Sequence, residues 1–392
     1  MFTFLLVALF GAILLFLAVE FLSRLYLRAA PYHVLRPNLT HTIAPNPEIL
    51  PTLEPLVRYR TNKMGERGIA LPESSDYHKV LCLGGSAFEC LFLDQENSIC
   101  GNLQQQLGDL QCFQGKPVHV GNISRSRVGV RTEKLMLDKA LPNYSHVDVM
   151  VLQAGASDMV SWLEAGADPE GVLGYKGVDE AFDAHPELNF GFSYEGLAIR
   201  KVMGRWKSTR PRHFAKAGRR YREVRDMRAN ATTTIDDVPN MEGFLKHVRQ
   251  GFNELIDSSE APGRTVIVAR QPWFEKDKFT DEELATFWHG AVGNSFRKHS
   301  DTFYSARVLC EVMSAIDKVV AEVCVERGVR SLDLKNLIPP TLEYYYDQIH
   351  LTTAGSALVA TAIAEAIELE RGAGAADNSA NTVSNSQNRP AA

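Results

Sequence analysis

A three-layer α/β/α sandwich around a parallel five-stranded sheet is the fold this chain predicts. Three observations predict it. Five short, apolar, β-branched runs recur along the chain. Stretches of helical periodicity fall between several of them, and strands alternating with helices build a parallel sheet covered on both faces. The final helical stretch carries an Ala/Leu/Ile stripe suited to packing on such a sheet.

The N-terminus stands outside that body. Phe2 to Val19 is apolar without a charge, and Phe21-Leu22 extend the run past Glu20. About 20 apolar residues span a bilayer core, so residues 1–22 are expected to be a single-pass transmembrane helix. No basic stretch precedes the run, and Arg28-Ala29-Ala30 makes a poor cleavage site, which favours an uncleaved anchor. Arg24, Arg28 and Arg36 all follow the anchor, and by the positive-inside rule that puts the body in the cytoplasm. Residues 23–57 carry Pro31, Pro37, Pro45, Pro47, Pro51 and Pro55 and read as an extended linker.

The strands follow in order: His78 to Leu83, Val118-His119-Val120, Val147 to Gln153, Arg264 to Ala269, and Val329 to Leu334. Helical periodicity runs through Ile99 to Leu110 and Arg307 to Glu326, and a last helix is expected over Thr353 to Glu370. Between the third and fourth strands lies an insertion, about 165–260. At its centre, Lys201 to Arg228 holds eleven Lys/Arg against two acidic residues, interleaved with Trp206, Phe214 and Tyr221. Two readings stay open there: a basic surface lying on anionic lipid head groups, or a solvated helical insertion with its aromatics packed inward. Residues 371–392 are Ala/Asn/Ser-rich and are expected to be a disordered tail.

The composition, 45% hydrophobic and 23% charged, is that of a globular body, and the net charge of −5 gives no reason to expect a nucleic-acid partner. The six cysteines show neither CxxC pairing nor zinc spacing, and Cys82 sits inside an apolar strand as a small hydrophobe. With no GxxxxGK[ST] loop and no HExxH helix, no metal or organic cofactor is implied.

Chemistry concentrates at two places. Ser86 follows Gly84-Gly85 at the end of the first strand and precedes a helical start. That turn lifts a hydroxyl out of the sheet edge and leaves backbone N–H groups for a developing oxyanion. Far downstream, Asp347-Gln348-Ile349-His350 puts a carboxylate three residues before an imidazole. The two can lie side by side, the carboxylate holding one ring nitrogen and leaving the other as a base. Trp162 and Trp273 follow strands three and four and suit either a ligand pocket or the core, whereas His289 and His299 read as surface residues and Asp158 as a residue that orients a loop.

In order and spacing these blocks resemble the SGNH, or GDSL-like, hydrolases, of a membrane-anchored bacterial type. Leu83-Gly84-Gly85-Ser86 is similar to the first block, with Gly85 in place of an Asp. Gly129, with Thr132 after it, resembles the second-block glycine, and Gly121 is the alternative match. Gly155-Ala156-Ser157-Asp158 resembles the third block, and Asp347 to His350 the last. Asn62-Lys63-Met64-Gly65-Glu66-Arg67 resembles the lead-in of some anchored members. The likeness covers residues 58–370 apart from the basic insertion. It implies a flavodoxin-like domain in which Ser86, Asp347 and His350 are catalytic and Ser86, Gly129 and Ser157 form the oxyanion hole. It also implies an ester substrate, often an acetyl group on a carbohydrate, and leans toward an extracytoplasmic body. Ser157 stands where the family carries Asn; a hydroxyl donates too, but it is shorter and rotates freely. Three functions therefore remain open: an ester hydrolase, an acyltransferase using the same residues, or a binding scaffold with a weakened site.

Overall fold

Alternate residues of each central strand point to opposite faces of one sheet, and that period of two organises the body. The computed structural model describes residues 2–29, 31–108, 113, 115–168, 197–208 and 211–386, without side chains at 28–29, 204–208 and 373–386. The chain runs α1 (Phe2–Ala29), β1 (Thr40–Pro45), β2 (Val57–Arg60), β3 (His78–Gly84), α2 (Ser86–Glu89), α3 (Ile99–Leu107), β4 (Val118–Asn122), α4 (Val130–Ala140), β5 (Val149–Gln153) and α5 (Ala156–Glu164). It continues with α6 (Ala198–Ser208), β6 (Arg212–Ala217), α7 (Arg219–Ala229), β7 (Thr233–Ile235), α8 (Glu242–Ser259), β8 (Thr265–Ala269) and α9 (Asp281–Thr286). Last come β9 (Thr302–Tyr304), α10 (Ala306–Arg327), β10 (Arg330–Leu332), α11 (Leu334–Leu337) and α12 (Thr353–Ser386).

The five predicted strands form one sheet in the order β10-β8-β5-β3-β4. Every pairing in it is parallel. This is the flavodoxin-like order, whose switch point lies between β3 and β5, where such folds hold ligands beyond the carboxyl ends of the strands. Leu81, Leu83, Met150, Leu152 and Val268 pack with α4, α5, α8 and α10 on one face. Val80, Cys82, Val149, Val151 and Ile267 pack with α3 and α12 on the other. Cys82, Cys90, Cys100, Cys310 and Cys324 are buried free thiols.

The structure corrects several expectations. The proline-rich stretch is not a free linker. β1 pairs antiparallel with β2 and parallel with β6 of the insertion, and Ile43, Ile49, Leu50, Val57 and Tyr59 form a satellite core. Pro45, which has no N–H to give a ladder, sits at the end of β1 where the β1–β6 register shifts. α12 continues past Glu370 to Ser386, into the segment read as a disordered tail; Ala373, Ala375, Ala376 and Ala380 are strong helix formers and no proline interrupts them. Residues 387–392 lie outside the described residues, as does 169–196 within the insertion.

Three arginines of the basic segment reach inward, while Arg212, Lys216, Arg219 and Arg222 are exposed. Arg220 donates to the carbonyls of Ser295 and Phe296, Arg225 to those of Ile49 and Thr286, and Arg228 to that of His289. Each guanidinium carries several donors, enough to satisfy loop carbonyls that have no ladder partner. Tyr221 packs edge-on against Phe92, Trp288 and Phe296, whereas Phe214 is exposed; the Trp206 side chain lies outside the described residues.

Helix α1 is long and apolar enough to cross a membrane over Phe2–Leu27. At 1.5 Å per residue that stretch spans about 39 Å, more than the hydrocarbon core requires. Its last turns join the body: Glu20 accepts from the Ala198 and Ile199 N–H groups at the start of α6, and Leu27 is buried.

Candidate active site

Ser86 opens α2, so its backbone N–H belongs to the first turn, where helical N–H groups have no intrahelical partner. Arg67, buried under the C-terminal end of α2, fixes that turn by donating to the carbonyls of Glu89, Cys90 and Leu93. The Glu89 carboxylate in turn accepts from Tyr59 and from the backbone and hydroxyl of Ser126. The lead-in around Asn62 to Arg67 and the loop after β4 are therefore both tied to the element that carries Ser86.

The structure brings Ser86 and His350 together across 264 residues, with Ser86 Oγ 2.8 Å from His350 Nε2. His350 Nδ1 lies 2.8 Å from Asp347 Oδ2 and 3.0 Å from Oδ1. Asp347 Oδ1 also accepts from the N–H groups of Ile349 and His350, both at 2.8 Å. The turn is closed by its own aspartate, which is why carboxylate and imidazole lie side by side so close in sequence. Burial would raise the Asp347 carboxyl, but His350, His289 and the Ile349 N–H outweigh it and hold the group below the usual carboxylate range.

Two residues of this cluster escaped the sequence reading. Trp288 donates its indole N–H to Asp347 Oδ2 at 2.8 Å. His289, expected at the surface, is 3% exposed; it stacks on Trp288 and lies 5.8 Å from the His350 ring. The loop carrying both is pulled inward by Arg225 and Arg228, and no local pattern signals that. Burial pushes the His289 imidazole down to about 3. His299 is exposed as expected. His289, Asp347 and His350 place one ligand-type atom each within 4.8 Å of one another, but two of the three already serve the Ser–His–Asp chain.

On the other side of Ser86 the remaining predicted residues gather. Gly155 turns the chain from β5 into α5 with φ +123°, which favours glycine. Ser157 follows, and its Oγ would stand 3.0 Å from a Cβ on Gly85, so the lack of a side chain at Gly85 leaves room for Ser157. Gly129 caps α4, and a side chain there would collide with the Asp158 carboxylate. Asp158 accepts from the Val130 N–H with both oxygens at 3.1 Å, so it holds the Gly129 turn, while burial pushes its carboxyl up to about 7. Gly121, the alternative match, lies inside β4 against Glu66 and away from the Ser86 turn. Trp162 is core, stacked on Phe244. Trp273 is also buried, its indole N–H on Glu275.

No family model matches the chain, and no curated protein matches it. Among solved structures, the chain is similar to a carbohydrate acetylesterase family member from Sinorhizobium meliloti, with 12% identity, 75% of this chain and 99% of that one covered, and a TM-score of 0.40. A catalytic mutant of an acetylxylan esterase from Geobacillus stearothermophilus is similar at 11% identity, 74% and 94% coverage and a TM-score of 0.38. A lipolytic G-D-S-L family protein from Veillonella parvula is similar at 8% identity, 74% and 97% coverage and a TM-score of 0.39.

Proposed function

We propose that the chain is a serine ester hydrolase of the SGNH type. One observation carries this reading: the continuous line from Ser86 Oγ through both nitrogens of His350 to the buried Asp347 carboxylate, with 2.8 Å at each end. His350 Nε2 takes the Ser86 proton as Oγ attacks the ester carbonyl. The tetrahedral oxyanion is met by the N–H groups of Ser86 and Gly129 and by the Ser157 hydroxyl. Collapse expels the alcohol, which receives the proton from His350, and leaves an acyl-serine. Water, deprotonated by the same nitrogen, then attacks the acyl carbonyl and releases the acid and free Ser86. Asp347 holds the ring in the tautomer whose Nε2 accepts.

The cleft beside Ser86 is narrow and walled by Ala156, Val160, Trp288 and Ile349, which supports a short acyl group. With the family resemblance, this supports an O-acetyl group on a cell-envelope carbohydrate as substrate. In this reading α1 anchors the body to the membrane on its extracytoplasmic side.

A fluorophosphonate probe tests the core of the reading. Full-length protein in detergent should be labelled, and Ser86→Ala should not. Folded wild-type protein that resists labelling would overturn it. Isotopically labelled acetyl donor distinguishes acceptors: free acetate marks the hydrolase, and acetylated sugar with no acetate marks the transferase.

A further inference from the structure

Glu133 sits in α4, fully buried, and among the described residues neither of its carboxyl oxygens has a hydrogen-bond partner. It lines a crevice too tight to hold a water molecule together with Gly85, Ser86, Ser157 and Gln271. A Cβ on Gly85 would stand 3.0 Å from Ser157 Oγ and 4.0 Å from Glu133 Oε1, so both side chains approach the backbone just before Ser86. The charged neighbour facing it is the Asp158 carboxylate, already engaged by the Val130 N–H. Burial, reinforced by Asp158, pushes the Glu133 carboxyl well above its ordinary range. An ionised carboxylate with no donor at this place would be very costly; the neutral acid carries an O–H and can donate.

We propose that Glu133, as a neutral carboxylic acid, is a further catalytic residue, a second side-chain donor to the oxyanion that forms over Ser86. The proposal rests on the hydrolase reading above. It gives the short Ser157 hydroxyl a companion: two O–H donors stand where the family resemblance implies one amide. It also accounts for a cost the fold otherwise carries without return, since an unpartnered buried polar group is destabilising and such groups concentrate at functional sites.

The test uses full-length protein in detergent with p-nitrophenyl acetate. Glu133→Leu removes the donor and the unpartnered oxygens at similar volume. It should lower kcat by about 10²-fold, the scale of one oxyanion donor, with KM within a few-fold and a melting temperature equal to or above that of wild type. Glu133→Gln, which places an amide N–H where the acid O–H stood, should recover at least a tenth of the wild-type kcat. If Glu133→Leu fails to fold, Glu133→Met takes its place. A folded Leu or Met variant with unchanged kcat overturns the proposal, as does a Gln variant as slow as Leu. Fluorophosphonate labelling of wild type separates the two failures: if Ser86 is labelled and the Glu133 variants behave as wild type, this inference falls alone.

Discussion

Replacing Asp347 with Asn changes one atom and should disable the site without unfolding it. The carboxylate receives four donors: the N–H groups of Ile349 and His350 on Oδ1, the Trp288 indole on Oδ2, and His350 Nδ1–H within 3.0 Å of both. An Asn keeps the two backbone bonds only with its carbonyl oxygen at the Oδ1 position. Its NH₂ then faces the Trp288 N–H, donor against donor, and faces His350 Nδ1. The ring answers by moving its proton to Nε2, which can no longer accept from Ser86 Oγ. A wrong tautomer of this kind costs about 10⁴ in kcat, or about 5 kcal/mol of barrier. The opposed Trp288 donor should cost a further 1–3 kcal/mol or so of folding stability. Hydrolysis of p-nitrophenyl acetate measures the first quantity and urea unfolding the second. Trp288→Phe combined with Asp347→Asn should restore part of the lost stability and none of the rate. A folded Asp347→Asn protein retaining more than a tenth of the wild-type kcat would refute the assigned hydrogen-bond chain.

Ser157→Ala should lower kcat/KM by up to about 10²-fold as a lost oxyanion donor, and Ser157→Asn should keep or exceed the wild-type value; equal rates for Ala and wild type would remove Ser157 from the oxyanion hole. Arg67→Met strands the carbonyls of Glu89, Cys90 and Leu93, which should cost about 3 kcal/mol or more by chemical denaturation and slow Ser86 labelling, because α2 carries the serine. His289 has a folded-state value of about 3, below its ordinary 6.5, so the unfolded chain binds a proton that the native state refuses as pH falls from 6.5 toward 3. Relative to His289→Phe, wild type should therefore lose roughly 1.4 kcal/mol of stability per pH unit through that window; parallel stability curves for the two proteins would show that the imidazole is not held neutral.

The sequence alone determined what local geometry determines. A buried strand shows as a short apolar run, as at Val80-Leu81-Cys82-Leu83, whose residues then face alternate sides of the sheet. The pairing of Asp347 with His350 is legible because a turn three residues long closes it. The apolar run of α1 shows in length and composition. Tertiary structure decided everything that depends on residues distant in the chain. Trp288 reaches Asp347 across 59 residues because arginines of α7 draw its loop inward, and the same contacts bury His289 and turn Arg225 and Arg228 of the basic segment toward the body. Glu133 looks like any polar residue on a helix, since its isolation follows from what the neighbouring elements fail to offer it. The proline-rich stretch became sheet because β2 and, from the insertion, β6 flank β1 on its two sides. A side chain's own neighbours in sequence fix its backbone and its face; its hydrogen-bond partners, and hence its charge, are fixed by whatever the fold sets against it.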